Sequence, residues 1–166
     1  MTARELLDEL EEQELQLVFD HFDEDTAWEL GVALRQAALA ASHPVAISIR
    51  RNGHRLFHAA LQGSSADNDG WLARKSAVVD RYGRSSLRVG EQFRVEGGSF
   101  DTDSRLDPSD YAAHGGAFPI LVRGTGCVGT VAVSGLPELE DHQLVVKTLD
   151  DFLATKQSAG RHEEPG

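Results

Sequence analysis

The chain holds a single cysteine, Cys127, among 166 residues. A lone thiol closes no internal disulfide and builds no cysteine-based zinc site, which fits a reducing compartment. Long apolar runs are also missing. The longest, such as Ala37 to Ala41 and Gly126 to Val133, fall far short of the ~20 residues that span a bilayer. The N-terminus is acidic and carries no basic, apolar signal segment, so the expected location is cytoplasmic with no membrane partner. Positive charge is scarce: 16 Lys and Arg stand against 27 Asp and Glu, a net charge of -11. Such a field opposes phosphate backbones, and no nucleic-acid partner is expected. No Cys-x-x-Cys-His heme attachment motif, no Gly-Lys-Ser/Thr phosphate loop and no nucleophile elbow around Ser134 is present, which removes support from routine hydrolase and nucleotidase readings.

What is present is the composition of one ordinary domain, 40% hydrophobic and 26% charged, long enough to bury a core without staples. Without repeat or linker, residues 1–156 read as a single domain and 157–166 as a flexible tail. Thr2 and Glu5 form a capping-box pattern for a short helix ending near Gln13. Leu15 to Phe19 reads as a brief strand. Asp23 caps a helix through Trp28, Leu30, Leu34, Ala38 and Ala41, stopped by Pro44; with apolar residues on more than one side, Trp28 among them, it is expected to be well buried.

Val45 to Arg50 alternates, and Asn52-Gly53 supplies a two-residue turn into His54 to Leu61. A regular ladder from that turn pairs Ile49 with Leu56, Ile47 with His58 and Arg50 with Arg55. Two arginines then face each other, in a middle segment where Arg50, Arg51, Arg55, Arg74, Lys75, Arg81, Arg84 and Arg88 concentrate the positive charge. Helices follow at 66–82 and 85–96, then an ordered loop from Ser99 to Gly116, a hairpin of 117–123 with 126–134, and a helix from Pro137 to Leu153. The sum is an α/β (α+β) domain with about five antiparallel strands and helices on its faces.

Several side chains interrupt these patterns. Lys75 lies in the apolar stripe Trp71, Val78, Val79, Tyr82. Either its stem follows the stripe to water or a buried carboxylate, or it offers a cation at the floor of a cleft, with Asn68 and Arg74 beside it. His142 sits in the apolar stripe of the last helix, near the N-terminus, where the helix dipole favours the neutral ring. It reads as a base, as a metal or heme ligand, or as a histidine satisfied by Asp141 and backbone. His114, Gly115 and Gly116 precede the second hairpin, where glycines permit close approach either for packing or for a ligand. His54 and His58, about 13 Å apart along a regular strand at ~3.3 Å per residue, cannot grip one metal.

The segments NGHRLFHAAL, SSADNDGWLARKSAVVDRYGRSS, HGGAFPI and GTVAVSGLPELEDHQLVV, in this order, resemble the heme-degrading domain family of HbpS- and GlcG-like proteins, and most closely the branch designated an uncharacterised protein family. The resemblance implies a profilin-like or PAS-like sandwich that assembles into homo-oligomers. Three functions follow as expectations. The first is binding of a small anionic molecule, heme propionates included, by Asn68, Arg74, Lys75, His114, Gly115, Gly116 and His142. The second is a protein-interaction or assembly module. The third is weak heme degradation with His114 or His142 as axial ligand or base. No catalytic residue and no metal site is assigned.

Overall fold

The computed structural model describes residues 1–163, with side chains to residue 159. The capping box forms as expected: the Thr2 side chain accepts from the Glu5 amide and starts α1, Ala3–Gln16. Asp23 accepts from the Thr26 amide and opens α2, Glu24–Ala40. The first hairpin is β1, Ala46–Arg51, with β2, His54–Ala60. It is followed by α3, Ala66–Tyr82, α4, Ser86–Val95, and the single turn α5, Phe100–Asp103. Gly83 ends α3 in the left-handed conformation, at φ 67, a position that favours glycine. The second hairpin is β3, Ala117–Val122, with β4, Gly126–Ser134, and α6, Glu138–Glu163, is the last described element.

The strands form one antiparallel sheet in the order β2-β1-β4-β3. Its two faces differ in side-chain size. Ile47, Ile49, Phe118, Ile120, Val131 and Val133 pack on α2 and α6. Ala46, Ala117 and Ala132 meet Leu72 and Val79 of α3 on the other side. Small residues on that face let α3 approach closely.

Three expectations are corrected. Among the described residues the sheet has four strands rather than five, because α1 runs on to Gln16 and absorbs Leu15, which is 70% exposed. What remains is one parallel bridge of Phe19 to Val122, with the Phe19 amide donating to Leu121 O at 2.7 Å, enough to cover the β3 edge. The last helix passes Leu153 and continues to Glu163, across most of the segment expected as a tail; residues 164–166 lie outside the described residues. Trp28 faces outward at 62% exposure, resting edge-on against Phe57.

The first hairpin carries the correction with most consequence. Arg50 does pair with Arg55, but Ile49 pairs with Phe57 and Ser48 with His58, because a bulge interrupts the ladder after Ile49. Two residues, Leu56 and Phe57, then stand opposite one, and both pack toward the large-residue core. A bulge of this kind re-aims every side chain beyond it. Without it, His58 would share a face with Ile47; with it, His58 stands opposite Ser48 on the α3 face, beside Arg55.

Candidate functional site

Helix α3 presents two stripes. The first contains Lys75, which is buried. Its ammonium donates to Asp141 Oδ2 at 3.0 Å and to Val133 O at 3.1 Å. Asp141, in the first turns of α6, also accepts the Leu136 amide on Oδ1 at 3.0 Å. Burial pushes the Lys75 pKa down and the Asp141 pKa up, each opposed by the partner's charge. The glycines seal this pair. A Cβ on Gly116, at φ 133, would lie 2.5 Å from Val133 O and 2.6 Å from Lys75 Nζ; one on Gly115 would lie 2.3 Å from Glu138 O. Lys75, Gly115 and Gly116 thus form one packed junction, the buried-carboxylate alternative of the sequence reading.

His142 is buried as well, and its Nε2 donates to Gln13 Oε1 of α1 at 2.8 Å. Burial depresses its pKa to about 4, so the ring is neutral. The expected direction holds, but desolvation is the cause rather than the helix dipole. Nδ1 is buried without a partner among the described residues, so Asp141 does not satisfy it. Asn68 is structural in its contacts: Oδ1 accepts the Ser65 amide at 2.9 Å, and Nδ2 donates to Ser134 Oγ at 3.2 Å.

Arg74 and His114 stay near the surface. The Arg74 guanidinium lies 4.2 Å from the Trp71 ring centroid, and His114 stands edge-on to the same ring at 5.3 Å. His114 Nδ1 is 3.0 Å from Glu138 Oε2, an electrostatic contact set off the line of a hydrogen bond. Of the expected residues, these two with Trp71 form a half-exposed aromatic patch.

The second stripe of α3, Asp69, Leu72, Ala73 and Ser76, faces the first hairpin across a cleft of about 260 Å³. The opposite wall is Ser48, Arg50, Gly53, Arg55 and His58. Asp69 Oδ1 lies 2.8 Å from His58 Nε2 and holds the ring. One turn beyond Ser76, Asp80 accepts from Thr130 Oγ1 at 3.0 Å and stands 3.8 Å from the Arg50 guanidinium. Arg55 enters no ion pair among the described residues. None of the seven residues expected from sequence lines this cleft. The facing arginines are legible from the Asn-Gly turn; His58 is not, because a regular ladder puts it opposite Ile47, and Ser48 on β1 with Asp69 and Ser76 on α3 carry no pattern that marks them for a ligand.

The antiparallel sheet, helices on both faces and a small polar cleft against the first hairpin define the class as an α+β sandwich. Comparison with known proteins carries the assignment further. Residues 22–150 match the family described as Haem degrading protein HbpS-like. A UPF0303 protein of Streptomyces coelicolor is 57% identical over 145 residues, 87% of this chain and 92% of that protein. The crystal structure of the Ybr137w protein is similar at 34% identity and TM-score 0.83, covering 91% of this chain and 89% of that one. The PduOC:heme complex shares the fold at 18% identity and TM-score 0.63, over 80% of this chain and 94% of its own. The chain belongs to the HbpS-like haem-degrading protein family, within its UPF0303 group. No helix among the described residues is long and apolar enough to cross a membrane.

Proposed function

We propose that this protein binds a small anionic molecule in the cleft between α3 and the first hairpin, with Arg50 and Arg55 as the anchoring cations. The observation that carries this reading is the bulge in β2, which sets Arg55 and His58 on one face opposite Arg50 and Ser48. Clustering two guanidinium groups costs repulsion, which an anion relieves, and a guanidinium fork matches carboxylate and phosphate oxygens. Asp80 offsets Arg50 and Asp69 engages His58, so Arg55 is the cation left for a ligand. The cleft lies at the small end of ligand pockets, about 300–1,000 Å³. It takes an anionic group and a small remainder, and cannot enclose a macrocycle.

Heme is a second reading, supported by the family description and the PduOC:heme complex. The Trp71–Arg74–His114 patch suits it chemically. His114 is 45% exposed in its side chain, and with Glu138 beside Nδ1, the ring nitrogen left for iron is Nε2. The aromatic ring and guanidinium supply a stacking surface and a propionate partner. His142 does not fit that role, being sealed and engaged by Gln13.

Two titrations separate the readings. Calorimetry with small carboxylates and phosphates should give saturable binding that Arg55→Ala removes and His114→Ala leaves intact; no binding of any anion sinks the cleft reading. A visible heme titration should give a saturable Soret change lost in His114→Ala if the aromatic patch holds the ring. An unchanged spectrum removes heme.

A further inference from the structure

We infer that the group this cleft takes is a phosphoryl group, the dianionic head of a small phosphate monoester, in preference to a carboxylate; the inference rests on the anion-binding reading above. The donors stand on three separate walls: Ser48 on β1, Arg55 on β2 and Ser76 on α3. A carboxylate offers two oxygens in one plane, which a single guanidinium fork can satisfy. A phosphoryl group offers three oxygens arranged as a cone, and needs donors from more than one direction.

The serines make the second argument. Ser48 is 5% exposed and Ser76 is 1% exposed, yet neither caps a helix nor pairs with another described side chain. Among the described residues neither hydroxyl counts as a buried polar atom without a partner, so both reach the open space of the cleft they line with Arg55 and are available to donate there. A third phosphoryl oxygen gives them an acceptor that a planar carboxylate seated on Arg55 does not.

The local charge limits the strength of binding. Two arginines are set against Asp69 and Asp80, within a chain of net charge -11. Selectivity therefore comes from donor geometry more than from field, and the contribution of the open, exposed Arg55 falls as salt rises.

The test is calorimetry on the full chain at fixed ionic strength, with inorganic phosphate, glycerol 3-phosphate and succinate as probes. Glycerol 3-phosphate is expected to bind at least about tenfold tighter than succinate, a difference near 1.4 kcal/mol. Inorganic phosphate binding as well as the ester shows that the head group carries recognition; ester binding alone shows that the organic remainder is read too, and both support the inference. Arg55→Lys, which keeps the charge and loses the fork, should weaken the ester about tenfold. Ser76→Ala should weaken the ester several-fold and leave succinate unmoved. Succinate binding as tightly as the ester, or a Ser76→Ala protein that discriminates unchanged, overturns the phosphoryl assignment while the anion cleft stands. Silence from all three probes overturns both.

Discussion

The two stripes of α3 solve the same electrostatic problem in opposite ways. On one, a lysine turned inward is closed off by a carboxylate, a carbonyl and two glycines, until nothing is left for a ligand. On the other, two arginines and a histidine meet two aspartates across a cleft that keeps one guanidinium uncommitted. The difference is instructive because the buried lysine is the more conspicuous anomaly in the sequence. An inward cation is conspicuous because it conflicts with an apolar stripe, and folding resolves such a conflict with an internal partner. A cation held for a ligand need not interrupt a stripe. Burial with full pairing marks structure, and partial pairing at an open face marks recognition.

The sealed side should give the largest effect when broken. Lys75→Ala leaves Asp141 buried without its counter-charge, and removing one partner of a buried pair costs about 3–5 kcal/mol. Urea denaturation should show that loss, and Lys75→Met combined with Asp141→Leu should recover much of it by replacing ions with apolar volume. If Lys75→Ala keeps the wild-type midpoint, the pair is not what holds α3 to α6.

His142 sharpens the comparison by pH. Its pKa falls from 6.5 to about 4 on folding, so below pH 6.5 the unfolded chain takes up a proton that the native ring refuses. Its stabilising contribution is complete above pH 6.5 and is lost as pH falls through about 4, a total of roughly 3 kcal/mol at about 1.36 kcal/mol per unit. Glu14 and Asp141, raised by burial, act in the opposite sense: their protonation favours the native state. The discriminating measurement is therefore the slope of stability against pH in His142→Gln beside the wild type. The variant should lose the decline between pH 6.5 and 4; an unchanged slope assigns the decline to other groups.

The parts of the fold legible in sequence are those whose cause is local. Thr2 with Glu5, Asp23 and the Asn52-Gly53 turn each specify their element within four residues, and each appears where expected. The strand at Leu15 to Phe19 failed because the acidic, leucine-bearing α1 propagates one more turn, and only tertiary contact with β3 decides how much of the segment stays extended. The α3 stripe bearing Lys75 faces inward, as its apolar neighbours Val78 and Val79 predict. Its partner lies 66 residues away, and in the sequence Asp141 is indistinguishable from an ordinary acidic residue at a helix start. The cleft was half legible: the turn predicts Arg50 opposite Arg55, but His58 reaches the same face only through the bulge, which two core residues, Leu56 and Phe57, impose by both packing inward.

Gly116→Ala tests how tightly the sealed side is closed. The φ of 133 disfavours any side chain, and the new methyl would meet Val133 O and the lysine ammonium. Strain of this kind costs about 1–3 kcal/mol, so the denaturation midpoint should drop by less than in Lys75→Ala. A midpoint equal to wild type would mean that the loop relaxes and the seal is loose.

The open side should yield the smallest effect on stability and the largest on binding. Arg55 is exposed, caps nothing and pairs with no described carboxylate, so Arg55→Ala should leave the midpoint in place. Arg50→Ala differs, since it also strips Asp80 of a cation and leaves Thr130 as its remaining partner. If both variants lose anion binding but only Arg50→Ala moves the midpoint, the two facing arginines divide the work: one holds the cleft in shape and the other meets the ligand. If Arg55→Ala unfolds the hairpin instead, its guanidinium is structural, and the contrast between the two sides of α3 collapses into two versions of the same internal pairing.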